Sequence, residues 1–119
     1  MKLCGVCIMT DNVPILAEFY EKVLRCKPAG DDVHTSFDDA QLAIWNPNGV
    51  KISKYKNMSL MYFIDDADQE YERLKNLNIG IEFQSKPEDQ PWGVRAFVFY
   101  DPDRNEISFL SQLKKGEKR

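Results

Sequence analysis

Residues 90–110 read QPWGVRAFVFYDPDRNEISFL, and the reading of this stretch decides the fold. From Val94 to Tyr100, β-branched and aromatic residues dominate, which suits a pleated, half-buried strand. Asp101-Pro102-Asp103-Arg104-Asn105 follows, with Asp at the first position of a turn and Pro at the second, where φ must be about −65°. Ile107 and Phe109 then restart the alternation. These residues predict a β-hairpin.

Working back from the hairpin, Ser85 to Gln90 reads as a polar loop and Ile81-Glu82-Phe83 as extended chain. Ala67, Tyr71, Leu74 and Leu77 share one face of a helix capped by Asp65 or Asp66 and stopped at Gly80. Met58 to Ile64 is the strand before it. The same order appears upstream. Residues 2 to 10 form a first strand, Asp11 or Asn12 caps a helix, and Pro14 falls in its first turn, where a missing N–H costs nothing. Leu16, Phe19, Tyr20, Val23 and Leu24 recur at helical spacing on one face, with Glu18, Glu21 and Lys22 mainly off it. Cys26 to Ala29 is a weak extended piece. Val33 to Phe37 and Gln41 to Trp45 read as strands joined by Asp38-Asp39-Ala40, and Asn46-Pro47-Asn48-Gly49 ends the run. The stretch to Asn57 has no clear period and reads as a linker.

This is βαβββ twice, a repeat of element order rather than of residues. It predicts an α+β fold of two modules whose mixed sheets curve around a cleft, since each module has a sheet face that one copy alone does not bury. The expected organisation is a single domain over residues 1–119, with module one at about 1–53, module two at about 54–113 and a frayed basic tail at 114–119.

A chain of 119 residues, 43% hydrophobic and 29% charged, has the composition of an ordinary globular domain. No apolar run approaches the roughly 20 residues a bilayer requires, and Met1-Lys2-Leu3-Cys4 lacks a signal peptide's apolar region. The expectation is a cytoplasmic protein without membrane partners. The net charge is −3, and the only basic cluster is the interrupted terminal one, so no basic stripe for nucleic acid is present. An odd count of three cysteines suits a reducing compartment. Cys4-Gly5-Val6-Cys7 has redox spacing, but within an extended run its thiols point to opposite faces about 10 Å apart, so the simplest reading is two small core residues.

The hairpin carries a resemblance. Trp92-Gly93, a strand, Asp101-Pro102-Asp103-Arg104-Asn105 and a closing strand are similar to the last hairpin of the glyoxalase, bleomycin-resistance and extradiol-dioxygenase superfamily, the vicinal oxygen chelate proteins. Gln90-Pro91-Trp92-Gly93 resembles the bleomycin-binding branch, and Phe19-Tyr20 matches the Phe-Tyr of the superfamily's first helix. Arg104 departs from the pattern, which usually has Gly there. A left-handed Arg costs about 1 kcal/mol relative to Gly.

Metal-using branches hold a divalent ion with His, Gln or Glu projecting from the strands. Aligned on those motifs, the corresponding positions here are Gly5, Ala43, Ser59 and Ser108. None supplies an imidazole or carboxylate, which iron, nickel and zinc sites require. The only histidine is His34, so no two-histidine site exists within one chain. No cofactor is implied and no metal-ligand set is legible. A pairing of Cys7 or Cys26 with His34 lacks an activating group, and Asp65-Asp66 and Asp38-Asp39 fall where caps and turns want carboxylates. No catalytic residue is assigned.

If Gly5 and Ser59 face the cleft, alternation sends Leu3, Cys7, Met9, Met61 and Phe63 the same way, with Trp45 beside Ala43 and with Glu106 and Leu110 beside Ser108. Candidate ligand-binding residues are therefore Cys7, Met9, Trp45, Met61, Phe63, Glu106 and Ser108, with Trp92 added by the resemblance as a stacking platform at the cleft mouth. The competing reading is that Trp45, Met61 and Phe63 simply fill the core. Apolar walls with few polar groups are the composition of a binding pocket. The resemblance implies a metal-free, bleomycin-resistance-type protein holding an aromatic or amphipathic molecule, as a homodimer. The alternatives are a glyoxalase-like lyase or ring-cleaving dioxygenase with atypical ligands such as Glu106 and His34, and a regulatory module with no ligand.

Overall fold

The computed structural model describes residues 1–53 and 56–113, so the basic tail at 114–119 lies outside the described residues. The chain divides into two compact units between residues 55 and 56. Both mix strands and helix, an α+β architecture with two mixed sheets and no closed barrel.

The first unit runs β1 (Val6–Met9), α1 (Val13–Leu24), β2 (Ala29–Gly30), β3 (His34–Phe37), a 3-10 turn (Asp38–Ala40) and β4 (Leu42–Trp45). The sheet order is β1-β4-β3-β2, with β1 and β4 parallel and the other neighbours antiparallel. α1 starts where Asn12 accepts the Ile15 N–H on its side chain at 3.2 Å, so Asn12 is the cap rather than Asp11. Leu16, Phe19, Tyr20 and Val23 are buried together with Phe37, Leu42 and Ile44. Period-two alternation makes this possible, because Phe37, Leu42 and Val6 form one cross-strand row and Thr35, Ile44 and Ile8 the next on the same face.

The second unit runs β5 (Ser59–Phe63), α2 (Ala67–Asn76), β6 (Glu82–Phe83), β7 (Glu88–Asp89), β8 (Val94–Tyr100) and β9 (Glu106–Gln112). Its sheet order is β5-β9-β8-β6, with β5 parallel to β9 and β7 paired to β8. The predicted hairpin is β8–β9, antiparallel from Val94↔Gln112 to Tyr100↔Glu106. Its inner face stacks Phe97, Phe99 and Phe109 with centroid separations of 5.1 to 5.8 Å. Tyr71 of α2 meets Phe97 at 5.4 Å and Phe83 of β6 at 4.9 Å. Each buried Phe contributes about 1.5–3 kcal/mol from removed surface alone.

Four local expectations are corrected. The first strand occupies residues 6–9 and not 2–10, because the β1–β4 pairing opens with the Val6 N–H donating to the Gln41 carbonyl at 2.9 Å. α2 ends at Asn76 with Leu77 as its cap, and the left-handed residue next to it is Asn78 rather than Gly80 alone. Residues 88–89, read as loop, pair with β8. Arg95 draws them in, since its guanidinium pairs with Asp89 at 2.9 Å and with Asp68 in the first turn of α2 at 3.0 Å. Those carboxylates, Asp68 first, raise the Arg95 pKa further. Cys4 and Cys7 are both exposed, so neither is a core residue.

The hairpin turn is held by one carboxylate. Buried Asp101 accepts from the N–H groups of Asp103 at 2.9 Å and Asn105 at 2.8 Å, and from the Asn105 side-chain amide at 2.8 Å. Arg104 is left-handed, with φ 66°, and covers the Tyr100 ring at 4.4 Å while pairing with Glu82. Asp101→Ala is expected to destabilise the protein by about 1–3 kcal/mol in urea unfolding, because it strands half-buried donors. At position 104 both contacts are lost in Arg104→Ala and in Arg104→Gly, yet the Gly variant should unfold about 1 kcal/mol later than the Ala variant. Equal stabilities would mean that the left-handed φ carries no cost there.

Candidate functional site

In the first unit, the helix-facing rows leave the opposite sheet face to Ser36, Ala43 and Cys7 in one row and to His34, Trp45 and Met9 in the next. Met9 is 53% exposed and Trp45 40%. In the second unit, the face away from Phe97, Phe99 and Phe109 carries three rows. They are Ser59, Glu106 and Tyr100; Met61, Ser108 and Val98; and Phe63, Leu110 and Ala96. Met61 and Phe63 are 67% and 69% exposed, so neither fills a core. Leu110, Ala96 and Val94 on that face form a buried cluster.

The predicted ligand-binding residues thus fall in three places. Cys7, Met9 and Trp45 share the open face of the first sheet, and Met61, Phe63, Glu106 and Ser108 share one face of the second. Trp92 belongs to neither face. It lies in the turn between β7 and β8, exposed, beside Gly93, whose φ of 91° closes that turn with a bond from its N–H to the Gln90 carbonyl at 3.1 Å. Leu3, expected on the Cys7 face, precedes β1 and is exposed.

A cavity of about 320 Å³ opens in the first unit, lined by Cys4, Cys7, Ser36, Asp38, Gln41 and their neighbours Gly5, Val6, Phe37, Leu42 and Ala43. Periodicity did not disclose it; Gln41, one of its lining residues, adopts a left-handed φ of 54° after the 3-10 turn. No sequence signal marks that conformation at a glutamine. Gly5 sits on its wall, and a Cβ there would lie 2.9 Å from the Gln41 carbonyl oxygen. A side chain of any kind at position 5 must displace backbone.

At the positions where the resemblance puts metal donors, the side chains are therefore none at Gly5, a methyl at Ala43 and hydroxyls at Ser59 and Ser108. This donor set does not fit a divalent transition ion, which calls for imidazole, thiolate or carboxylate. Among the described residues, no three His, Cys, Asp or Glu side chains approach closely enough to hold a metal. Glu106 and His34 belong to separate units.

Asp31, Cys26 and Asp66 bond to the backbone. Asp31 accepts from the N–H groups of His34 at 3.0 Å and Val33 at 2.9 Å, and those bonds, His34 first, hold its carboxyl below the ordinary range. Burial, then nearby Asp39, pushes the Cys26 thiol up, the reverse of an activated nucleophile, and its S–H donates to the Leu24 carbonyl at 3.3 Å. Asp66 caps α2 by accepting from the Gln69 N–H at 3.0 Å.

Residues 3–114 match the family model described as Glyoxalase-like domain. No curated protein matches the chain. Among solved structures, a glyoxalase/bleomycin resistance protein/dioxygenase from Nocardioides superposes with a TM-score of 0.79 at 23% identity, over 100% of this chain and 88% of that one. A superfamily member from Sphaerobacter thermophilus DSM 20745 gives 0.72 at 22% identity, over 94% and 98%. The fosfomycin resistance protein FosX from Listeria monocytogenes gives 0.74 at 14% identity, over 97% and 96%. At such identities the structural likeness speaks for the fold. With a family match running through nearly the whole chain, this protein belongs to the Glyoxalase-like domain family.

Proposed function

We propose that this chain is a small-molecule binding protein of the bleomycin-resistance type, which holds an aromatic or amphipathic ligand without a catalytic divalent metal. The observation that carries this reading is the exposed apolar character of the sheet faces, above all Met61 and Phe63 beside Ser108, and Trp45 beside Met9. Contiguous exposed apolar surface is uncommon on a protein that binds nothing. Thioether and aromatic side chains adapt to flat ligands, each ring pair adding about 0.5–1.5 kcal/mol beyond burial. Glu106, the one carboxylate among these rows, favours a cationic ligand. Ser59, Ser108, Gly5 and Ala43 leave the usual donor positions unable to grip an ion, which argues against the metal-dependent lyase or dioxygenase.

The protein works as a cytoplasmic homodimer in this reading, following the bleomycin-resistance branch it resembles. Among the described residues, no helix is long and apolar enough to cross a membrane.

The test is a thermal-shift and tryptophan-fluorescence screen of planar aromatic cations, run beside Ni²⁺, Fe²⁺, Mn²⁺ and Zn²⁺. A binder at 100 times its Kd should add about 2.7 kcal/mol of apparent stability. Phe63→Ala should weaken a binder on the second unit's sheet face about tenfold, and Trp45→Ala one on the first unit's. Because both residues are exposed, the ligand-free protein should change by less than about 0.5 kcal/mol. Sedimentation should give twice the chain mass. Stoichiometric retention of a divalent metal with turnover of a hemithioacetal or catechol overturns the reading.

A further inference from the structure

We propose that the open face of the second unit's sheet binds a linear amphipathic cation in one direction, its positive group at Glu106 and its apolar body reaching to Phe63. This rests on the small-molecule reading and adds the ligand's charge, length and direction. The strand register sets the polarity. Ser59, Glu106, Tyr100 and Glu82 stand in one row across β5, β9, β8 and β6. Two residues along, Met61, Ser108 and Val98 carry one hydroxyl among them, and in the row beyond, Phe63, Leu110 and Ala96 carry none. The run from Glu106 to Leu110 is about 13 Å at the rise of a strand. A carboxylate in line with that last row, Glu88 of β7 opposite Ala96, is three strands from Phe63, about 14 Å away.

Charge selects the end. Among the described residues no ion pair or side-chain hydrogen bond reaches the half-buried Glu106 carboxylate. Its row neighbour Glu82 differs, because Arg104 pairs with it and lays the same guanidinium 4.4 Å from the centre of the Tyr100 ring. The chain therefore holds one cation of its own against this row and leaves Glu106 unmatched. A cationic group brought to a half-buried carboxylate is screened by salt less than one in open water. Met61 and Phe63, both mostly exposed, lie open to the rest of the ligand. A molecule too short to span the three rows meets Glu106 or Phe63 but not both.

The experiment titrates the full-length chain by calorimetry with a naphthalene joined through a straight alkyl chain to trimethylammonium, with a version whose chain is too short for the span, and with the uncharged tert-butyl analogue of each. The long cation should bind about fivefold more tightly than its uncharged analogue, a ratio that shrinks as salt is added. Glu106→Gln should erase that ratio, while Glu72→Gln, a carboxylate of α2 off this face, keeps it. Phe63→Ala should weaken the long cation about tenfold and the short one less than about twofold. Glu106→Ala repeats the measurement should the glutamine variant melt early. A ratio that survives in the Glu106 variants, or equal loss of long and short cations in Phe63→Ala, overturns the proposal and leaves the small-molecule reading standing. If none of the four compounds binds, that reading of this face falls with it, and a halved sedimenting mass in Phe63→Ala would then show a second copy as the occupant.

Discussion

Phe97, Phe99 and Phe109 stack against one another on one side of the β8–β9 hairpin, and the second unit depends on that contact. Three large rings at alternate positions cannot be buried unless the strands keep one register, since a slip of one residue would turn every ring to the other face. The register then dictates what surrounds it. Tyr71 and Phe83 pack onto the rings, and the Ser111 hydroxyl accepts the buried Ala67 N–H at 3.1 Å at the start of α2. Arg95, next in the hairpin, ties Asp68 and Asp89 to it. The opposite face, with Met61, Ser108 and Phe63, is the complement of the same alternation. Core and candidate site are two consequences of one period.

The first unit solves the same problem with smaller parts. Tyr20 meets Phe37 at 6.5 Å, and Ile44 and Leu42 complete a face that α1 covers. Cys7, Met9 and Trp45 are what remains on the other side. Such economy leaves apolar side chains exposed, and Gly5, Ala43, Ser59 and Ser108 carry no imidazole, thiolate or carboxylate. The chain keeps the scaffold of the Glyoxalase-like domain family, with glycine, alanine and two serines at those four positions.

Several departures share a physical cause, which is backbone carried through φ > 0 by residues other than glycine. Arg25, Gln41, Asn78 and Arg104 follow or close helices and turns in left-handed geometry. At Arg104 the cost is offset by the Tyr100 ring and Glu82. At Gln41 the carbonyl accepts from Val6, and the residue lines the cavity shared by Cys4 and Cys7. Side-chain propensity alone opposes a left-handed Gln or Arg, and at Arg104 and Gln41 contacts with Glu82 and Val6, distant in the chain, accompany it.

The amino-acid order by itself determined the hairpin, both helices with their buried faces, the doubled βαβββ pattern and the alternation that places Met61 with Ser108 and Cys7 with Met9. Each of these is set by a local period or by a turn residue. It did not determine where β1 begins, that Glu88 and Asp89 pair with β8, or that Trp45, Met61, Phe63 and the two N-terminal cysteines stand exposed. Alternation tells which residues share a face but not whether that face is covered. Coverage, short-strand pairing and a left-handed glutamine are settled by contacts between segments far apart in sequence, and those exist only once the chain has folded.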